Sequence, residues 1–266
     1  MTPMTPVTPE HRAYFALVGS FALWVGLWGY FYPADVARAI PWPVPPLHAR
    51  FLGAMYFSAV VLMGGSLLSR HVQAVAVTMV AIWTGMLLVV SLLHLSEFDF
   101  SRRPVWFWFF AYIVYPFMGA RIAWLYRNIA SPRTARRVDR WVPGYFTVQG
   151  VLLLILAAVL FFVPAWMVGN WPWKISPLLA QIYSGPFLSY GAGSLLVARK
   201  SYGVEIRIAA ASMLTFALLM ISASFLHRGL FAMGSASAFV WFGGLVISAV
   251  CLSVISVRSL RSRAPA

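Results

Sequence analysis

Residues 14–49 read YFALVGSFALWVGLWGYFYPADVARAIPWPVPPLHA, and residues 145–180 read YFTVQGVLLLILAAVLFFVPAWMVGNWPWKISPLLA. The two segments align without a gap at an offset of 131 residues. Tyr14, Phe15, Gly19, Leu23, Phe31, Pro33, Ala34, Pro41, Trp42, Pro46, Leu47 and Ala49 all recur at that offset. Shared oiliness would match leucines; it would not match prolines and tryptophans in order. Beyond small gaps, Gly65–Leu68 returns as Gly193–Leu196, Ser91-x-x-His94 as Ser224-x-x-His227, and Val105-Trp106-Phe107 as Val240-Trp241-Phe242. The chain therefore reads as a tandem duplication.

Each copy holds four apolar runs. The eight runs cover approximately 12–32, 47–69, 72–95, 105–126, 142–163, 177–197, 204–226 and 237–257. Each is about 20 residues, enough to cross a hydrocarbon core as a helix. A hydrophobic share of 61%, charged residues at 10% and a mean hydropathy of +0.81 exclude an ordinary soluble domain, in which about a quarter of residues are charged. Backbone polar groups inside lipid must bond internally, which selects helices. The expected fold is all-α and integral to the membrane. Eight transmembrane helices form two tandem four-helix repeats, residues 1–126 and 142–266, joined by a basic cytoplasmic linker at 127–141. An even number of spans per copy gives both copies one orientation, so a pseudo-two-fold axis along the membrane normal should relate them. Very short turns at Ser69–His71 and Ala198–Tyr202 should fold spans two and three of each copy into antiparallel hairpins. Pro116 and Pro186 should kink their spans. Gly26, Gly29, Gly53, Gly64, Gly65, Gly191, Gly193, Gly243 and Gly244 should admit close helix contacts.

The net charge of +14 is distributed by side. Arg12, Arg70, Arg121, Arg127, Arg133, Arg136, Arg137, Arg140, Arg199, Lys200, Arg207, Arg258, Arg261 and Arg263 fall on one side; Arg38, Arg50, Arg102, Arg103, Lys174 and Arg228 fall on the other. This asymmetry predicts an inner (cytoplasmic) membrane with both termini in the cytoplasm. It is a topology signal and not a nucleic-acid footprint, since interleaved aromatics on a soluble scaffold are missing. The first run is full length and lacks a small-residue cleavage site, so no cleavable signal is expected. A single cysteine, Cys251, excludes disulfides and thiolate clusters.

Candidate chemistry gathers at the outer ends of the spans. Trp42, Trp106, Trp108, Trp171, Trp173 and Trp241 map there, where an aromatic belt would float at head-group level or form a surface for lipid or a partner. His94 and His227 close equivalent spans, each with a serine three residues earlier, Ser91 and Ser224, on the same helical face. Those serines would hydrogen-bond the rings and set their tautomers. Two imidazoles related by a two-fold would also suit one haem b iron held between the copies. His48, Arg50, Glu97, Asp99 and Arg228 form a candidate polar cluster on the same side, whose acidic pair has no counterpart in the second copy. No carboxylate lies deep in a span: Glu205 sits at a helix entrance and Asp35 in a loop. Ion-coupled carriers use such groups. Nucleotide, zinc-protease and hydrolase motifs are lacking, so no catalytic residue or metal site is assigned.

The segment Trp42-x-x-x-Pro46-Leu47-x-Ala49-Arg50, its partial copy Trp173–Gln181, and the histidine closing span three resemble an uncharacterised bacterial family of multi-span membrane proteins. The resemblance implies no activity. Together these features point to a non-catalytic subunit, scaffold or assembly partner of a membrane complex, in contact with lipid and other subunits and holding lipid, pigment or another apolar ligand. Two alternatives stand beside it: a haem b redox subunit using His94 and His227, and a facilitator for a small neutral or apolar solute. The facilitator would line its path with Ser66, Thr84, Ser91, Ser189, Ser194 and Ser224.

Overall fold

The computed structural model describes residues 7–38, 40, 42, 44–69, 73–126, 139–199 and 204–261. Linker residues 127–138, turn residues 70–72 and 200–203, and the basic side chains of Arg38, Arg70, Arg127, Arg133, Arg136, Arg137, Lys200, Arg261 and Arg263 lie outside that description. Among the described residues the fold is all-helical: α1 Pro9–Phe31, α2 Pro46–Leu68, α3 Ala74–Leu93, α4 Arg103–Tyr126, α5 Trp141–Phe162, α6 Pro164–Asn170, α7 Pro177–Ala198, α8 Val204–Leu226 and α9 Ala236–Arg261. Seven of these, all but α6 and α7, are long and apolar enough to cross a membrane. α7 has the length but carries Gln181, Tyr183, Ser184, Ser189, Tyr190 and Ser194 within its apolar run.

Local chemistry places the helix ends. Proline occupies the first turn of α1, α2, α6 and α7, where its missing N–H has no partner to lose. Thr8 caps α1 in a reciprocal box with His11, and Ser176 accepts from the Leu179 N–H to cap α7. α4 and α7 run unbroken through Pro116 and Pro186. α6 is an element that the apolar pattern does not announce; Pro164 follows α5 directly and starts it.

Packing joins helices from the two halves of the chain. α2 lies against α1 on one side and against α8, from the other copy, on the other; α7 lies likewise between α5 and α3. α3 continues to α4, and α8 to α9. The result is two rows, α1–α2–α8–α9 and α4–α3–α7–α5, each built from two helices of the first half of the chain and two of the second. The expected hairpin partners α2 and α3 touch only over a short stretch, because both present their best-packed faces to helices of the opposite copy.

Burial follows the rows. Within α2, 61% of the span is buried; the row-end helices α5 and α9 fall to 22% and 28%. Large apolar side chains cover the outer faces, among them Phe117 at 69% exposure, Phe162 at 78% and Phe239 at 81%. Such surface is stable against lipid and costly against water. The glycine expectation holds in part. A Cβ on Gly53 would lie 2.5 Å from the Tyr30 backbone nitrogen, and one on Gly193 would lie 2.5 Å from the Met79 sulfur. Gly64, Gly243 and Gly244 meet nothing within 4 Å, so they are not contact glycines within this chain.

Candidate functional site

At the end of the molecule where α3 and α8 stop and α2 and α7 start, one aromatic arrangement occurs twice. Trp42 meets Trp108 edge-on at 4.8 Å and Phe98 at 5.6 Å. Trp173 meets Trp241 at 4.9 Å and Phe231 at 5.4 Å. Phe98 packs on Phe109 at 5.1 Å, and Phe231 on Phe242 at 5.2 Å. The Trp108 indole N–H donates to Ser91 Oγ at 3.0 Å; that of Trp241 donates to Ser224 Oγ at 3.1 Å. Trp108, and not Trp106, thus makes the contact that Trp241 makes, and the register of the last span shifts by two residues from the Val105–Phe107 alignment.

These bonds change two expectations. Ser91 and Ser224 do not hold the imidazoles. Ser91 donates back to the Leu87 carbonyl at 2.7 Å, the turn below, within easy reach of a short side chain; its oxygen then takes the indole N–H of α4. Nor is the tryptophan set a surface belt. Trp42, Trp108, Trp171 and Trp173 are buried and Trp241 is half-buried; Trp106 alone of the six is open, at 62% exposure, with its N–H on the Phe100 carbonyl. Rings meeting edge to face in this way fill the space between helix ends.

The histidines find partners across the copies. His94 Nε2 lies 2.5 Å from Gln181 Oε1. The Gln181 amide nitrogen donates to the Phe161 carbonyl at 3.0 Å, so the amide oxygen faces His94 and accepts its Nε2 proton. On the other side Arg50 Nη1 donates to His227 Nε2 at 2.5 Å. Position 50 corresponds to 181 at the repeat offset, so each histidine is held by the same position of the opposite copy. Gln181 is the residue that reading the sequence passed over. Its signal was present: once Arg50 is known to reach His227, the offset points to it. Both Nε2 atoms, the nitrogens through which imidazole commonly binds haem iron, are thereby occupied by protein groups.

The polar cluster disperses. His48 is buried, with Nδ1 on the Tyr183 hydroxyl at 2.6 Å, and the Tyr183 ring packs tilted against Phe51 at 3.9 Å. Glu97 and Arg228 are exposed in short 3-10 turns. Asp99 is exposed, accepts from the Ser101 N–H and hydroxyl, and is held below the usual carboxylate range by those bonds. Among the described residues no group of three or more His, Cys, Asp or Glu comes together as metal ligands would.

Deeper in, the hydroxyls are spent inside the protein. Ser189 of α7 donates to the Met79 carbonyl of α3 at 2.7 Å, and Ser212 of α8 to the Ser58 carbonyl of α2 at 2.7 Å. These are corresponding contacts of the two rows. Ser66 and Thr84 bond back to Leu62 and Val80, and Ser194 accepts from Gln149. A small cavity of about 20 Å³ lies among α1–α4, lined by Phe21, Tyr56, Trp83, Tyr112 and Tyr115 among others. It has room for about one water molecule. At the opposite end, buried Glu205 accepts the Val75 N–H at 3.1 Å, placing a carboxylate on the N-terminus of α3.

No family model, curated protein or solved structure matches this chain. Whatever function is assigned to it rests on this geometry.

Proposed function

We propose that this chain is a non-catalytic structural subunit or scaffold of a membrane complex, spanning the bilayer eight times. Its two four-helix copies would interlock about a pseudo-two-fold axis along the membrane normal, with both termini in the cytoplasm of a bacterial inner membrane. The eighth span in this reading is α7, shielded from lipid by α3, α5 and α8, so that it tolerates more polar residues than a lipid-facing helix. The doubled contacts support the axis: Trp108–Ser91 with Trp241–Ser224, Ser189–Met79 with Ser212–Ser58, and His94–Gln181 with His227–Arg50.

The observation that carries the scaffold reading is where polar capacity goes. Ser189, Ser212, His48, His94, His227 and Glu205 each bond from one helix to another, and the peripheral faces are large and apolar. Such an interior holds helices in fixed relation, and such an exterior meets lipid or the helices of other subunits. A lipid or pigment partner would find the large exposed apolar side chains of the outer faces, such as Phe117, Phe162 and Phe239.

Purification from native membranes in mild detergent tests the role: co-purifying integral subunits in fixed ratio are expected, and a chain that always runs alone overturns it. Reporter fusions in each loop test the topology, with the termini expected on one side. The haem alternative requires His94 and His227 to leave Gln181 and Arg50; a Soret band after haem-replete expression would establish it. The facilitator alternative requires the serine and threonine bonds to open; solute flux in loaded vesicles would establish that one.

A further inference from the structure

The two cross-copy contacts share a position and differ in chemistry. At the first, an imidazole N–H of His94 faces an amide oxygen that is oriented by its own bond to Phe161. At the second, Arg50 presents a guanidinium N–H to Nε2 of His227. A guanidinium has donors only, so His227 must accept there, neutral, with its proton on Nδ1. We propose that the Arg50–His227 contact is an acid-released latch between the start of α2 and the end of α8, with His94–Gln181 as its acid-insensitive counterpart.

The difference follows from hydrogen-bond inventory. Protonating His227 sets donor against donor and positive charge against positive charge. Protonating His94 leaves its Nε2–H and the Gln181 acceptor as they were. Surroundings do not rescue the second contact. α3, α7 and α9 bring no charged side chain to this end, since none occurs within Ala74–Leu93, Pro177–Ala198 or Ala236–Val257. α2 carries Arg50 and His48, the latter on Tyr183. The turn after α8 adds Arg228, a further cation, and Lys174 lies in the segment before α7. Asp35 lies in the 3-10 turn packed on α2. Burial first, and the Arg50 charge second, already hold the His227 ring below its ordinary 6.5. Release frees the turn Arg228–Leu230 and loosens Phe231 from Trp173. The latch stands whether or not the chain joins a larger complex.

Electron–electron distance measurement on the full chain in nanodiscs tests it, with Cys251→Ser removing the native thiol. Spin labels at Tyr32→Cys and Leu230→Cys, both 57% exposed, report the Arg50–His227 side. Labels at the corresponding Val163→Cys and Glu97→Cys report the other. Between about pH 7.5 and about pH 5 a longer-distance population at 32/230 should rise from roughly a tenth to more than about half, with its midpoint below 6.5. The 163/97 pair should stay unchanged. Arg50→Gln, which copies the first contact onto the second, should abolish the response; Gln181→Arg should confer it on the 163/97 pair. An unchanged 32/230 distribution down to about pH 4.5, or a response that survives Arg50→Gln, overturns the latch. Should Arg50→Gln aggregate, Gln181→Arg decides by whether acid sensitivity moves with the arginine.

Discussion

Gly53→Ala replaces one hydrogen by a methyl group at the tightest crossing of α1 and α2. The new Cβ would lie 2.5 Å from the Tyr30 nitrogen, 2.8 Å from the Tyr30 Cβ and 2.9 Å from the Gly29 carbonyl carbon. Ordinary contact begins near 3.4 Å, so the shortfall is about 0.9 Å. Two of the three atoms are backbone and cannot rotate away; the helices must separate. Overpacking of this kind costs about 1–3 kcal/mol, against a gain of up to about 1 kcal/mol from replacing glycine by alanine within a helix. Gly64→Ala, eleven residues along the same helix, meets nothing within 4 Å and should show only the gain. Thermal unfolding in a fixed detergent, read by α-helical circular dichroism, compares the two. Gly53→Ala should melt lower than the native protein, and Gly64→Ala at the same temperature or above. Equal melting of the two variants would refute the crossing geometry and, with it, the close α1–α2 contact.

Other perturbations read other parts of the design. Ser91→Ala and Ser224→Ala each remove the acceptor of a buried or half-buried indole N–H, so each should cost about 1–2 kcal/mol and the two losses should agree; a large loss at one and none at the other would speak against corresponding roles. Glu205→Ala strips the carboxylate from the start of α3 and leaves the Val75 N–H without that acceptor, at a cost of about 1.5–3 kcal/mol; Glu205→Gln keeps an acceptor and should lose less, and equal losses would remove charge from the account. Because the folded His227 ring titrates below 6.5, the unfolded chain binds more protons there. Its contribution to stability is therefore full above about pH 6.5 and is lost as pH falls toward the folded value. His227→Gln should flatten that part of the melting-temperature profile, and an unchanged slope would refute the assignment.

Much of this was legible before any coordinates. Among the described residues the apolar runs mark the long helices to within a few residues, since run length and proline placement are local properties. Trp42 and Trp173 and the two Ser-x-x-His motifs were already recurrences in the sequence. Side-chain partners were not. Ser91 shares a helical face with His94, yet its bond goes to an indole seventeen residues on. Neither the Trp106 nor the Trp108 position looks better than the other on spacing alone. The tryptophans read as interfacial because that is their common use in membranes; whether a ring is buried depends on what four other elements place over it.

Residue order alone decided that the chain is helical and apolar, and that its acids are few and lie near helix ends. These follow from composition and period, which each segment carries by itself. Only the tertiary structure decided that the two halves of the chain interlace in two mixed rows, and that Arg50 and Gln181 each hold a histidine of the other half. Such pairings join residues 87 and 177 positions apart, and no local pattern encodes which of several oily helix faces will meet.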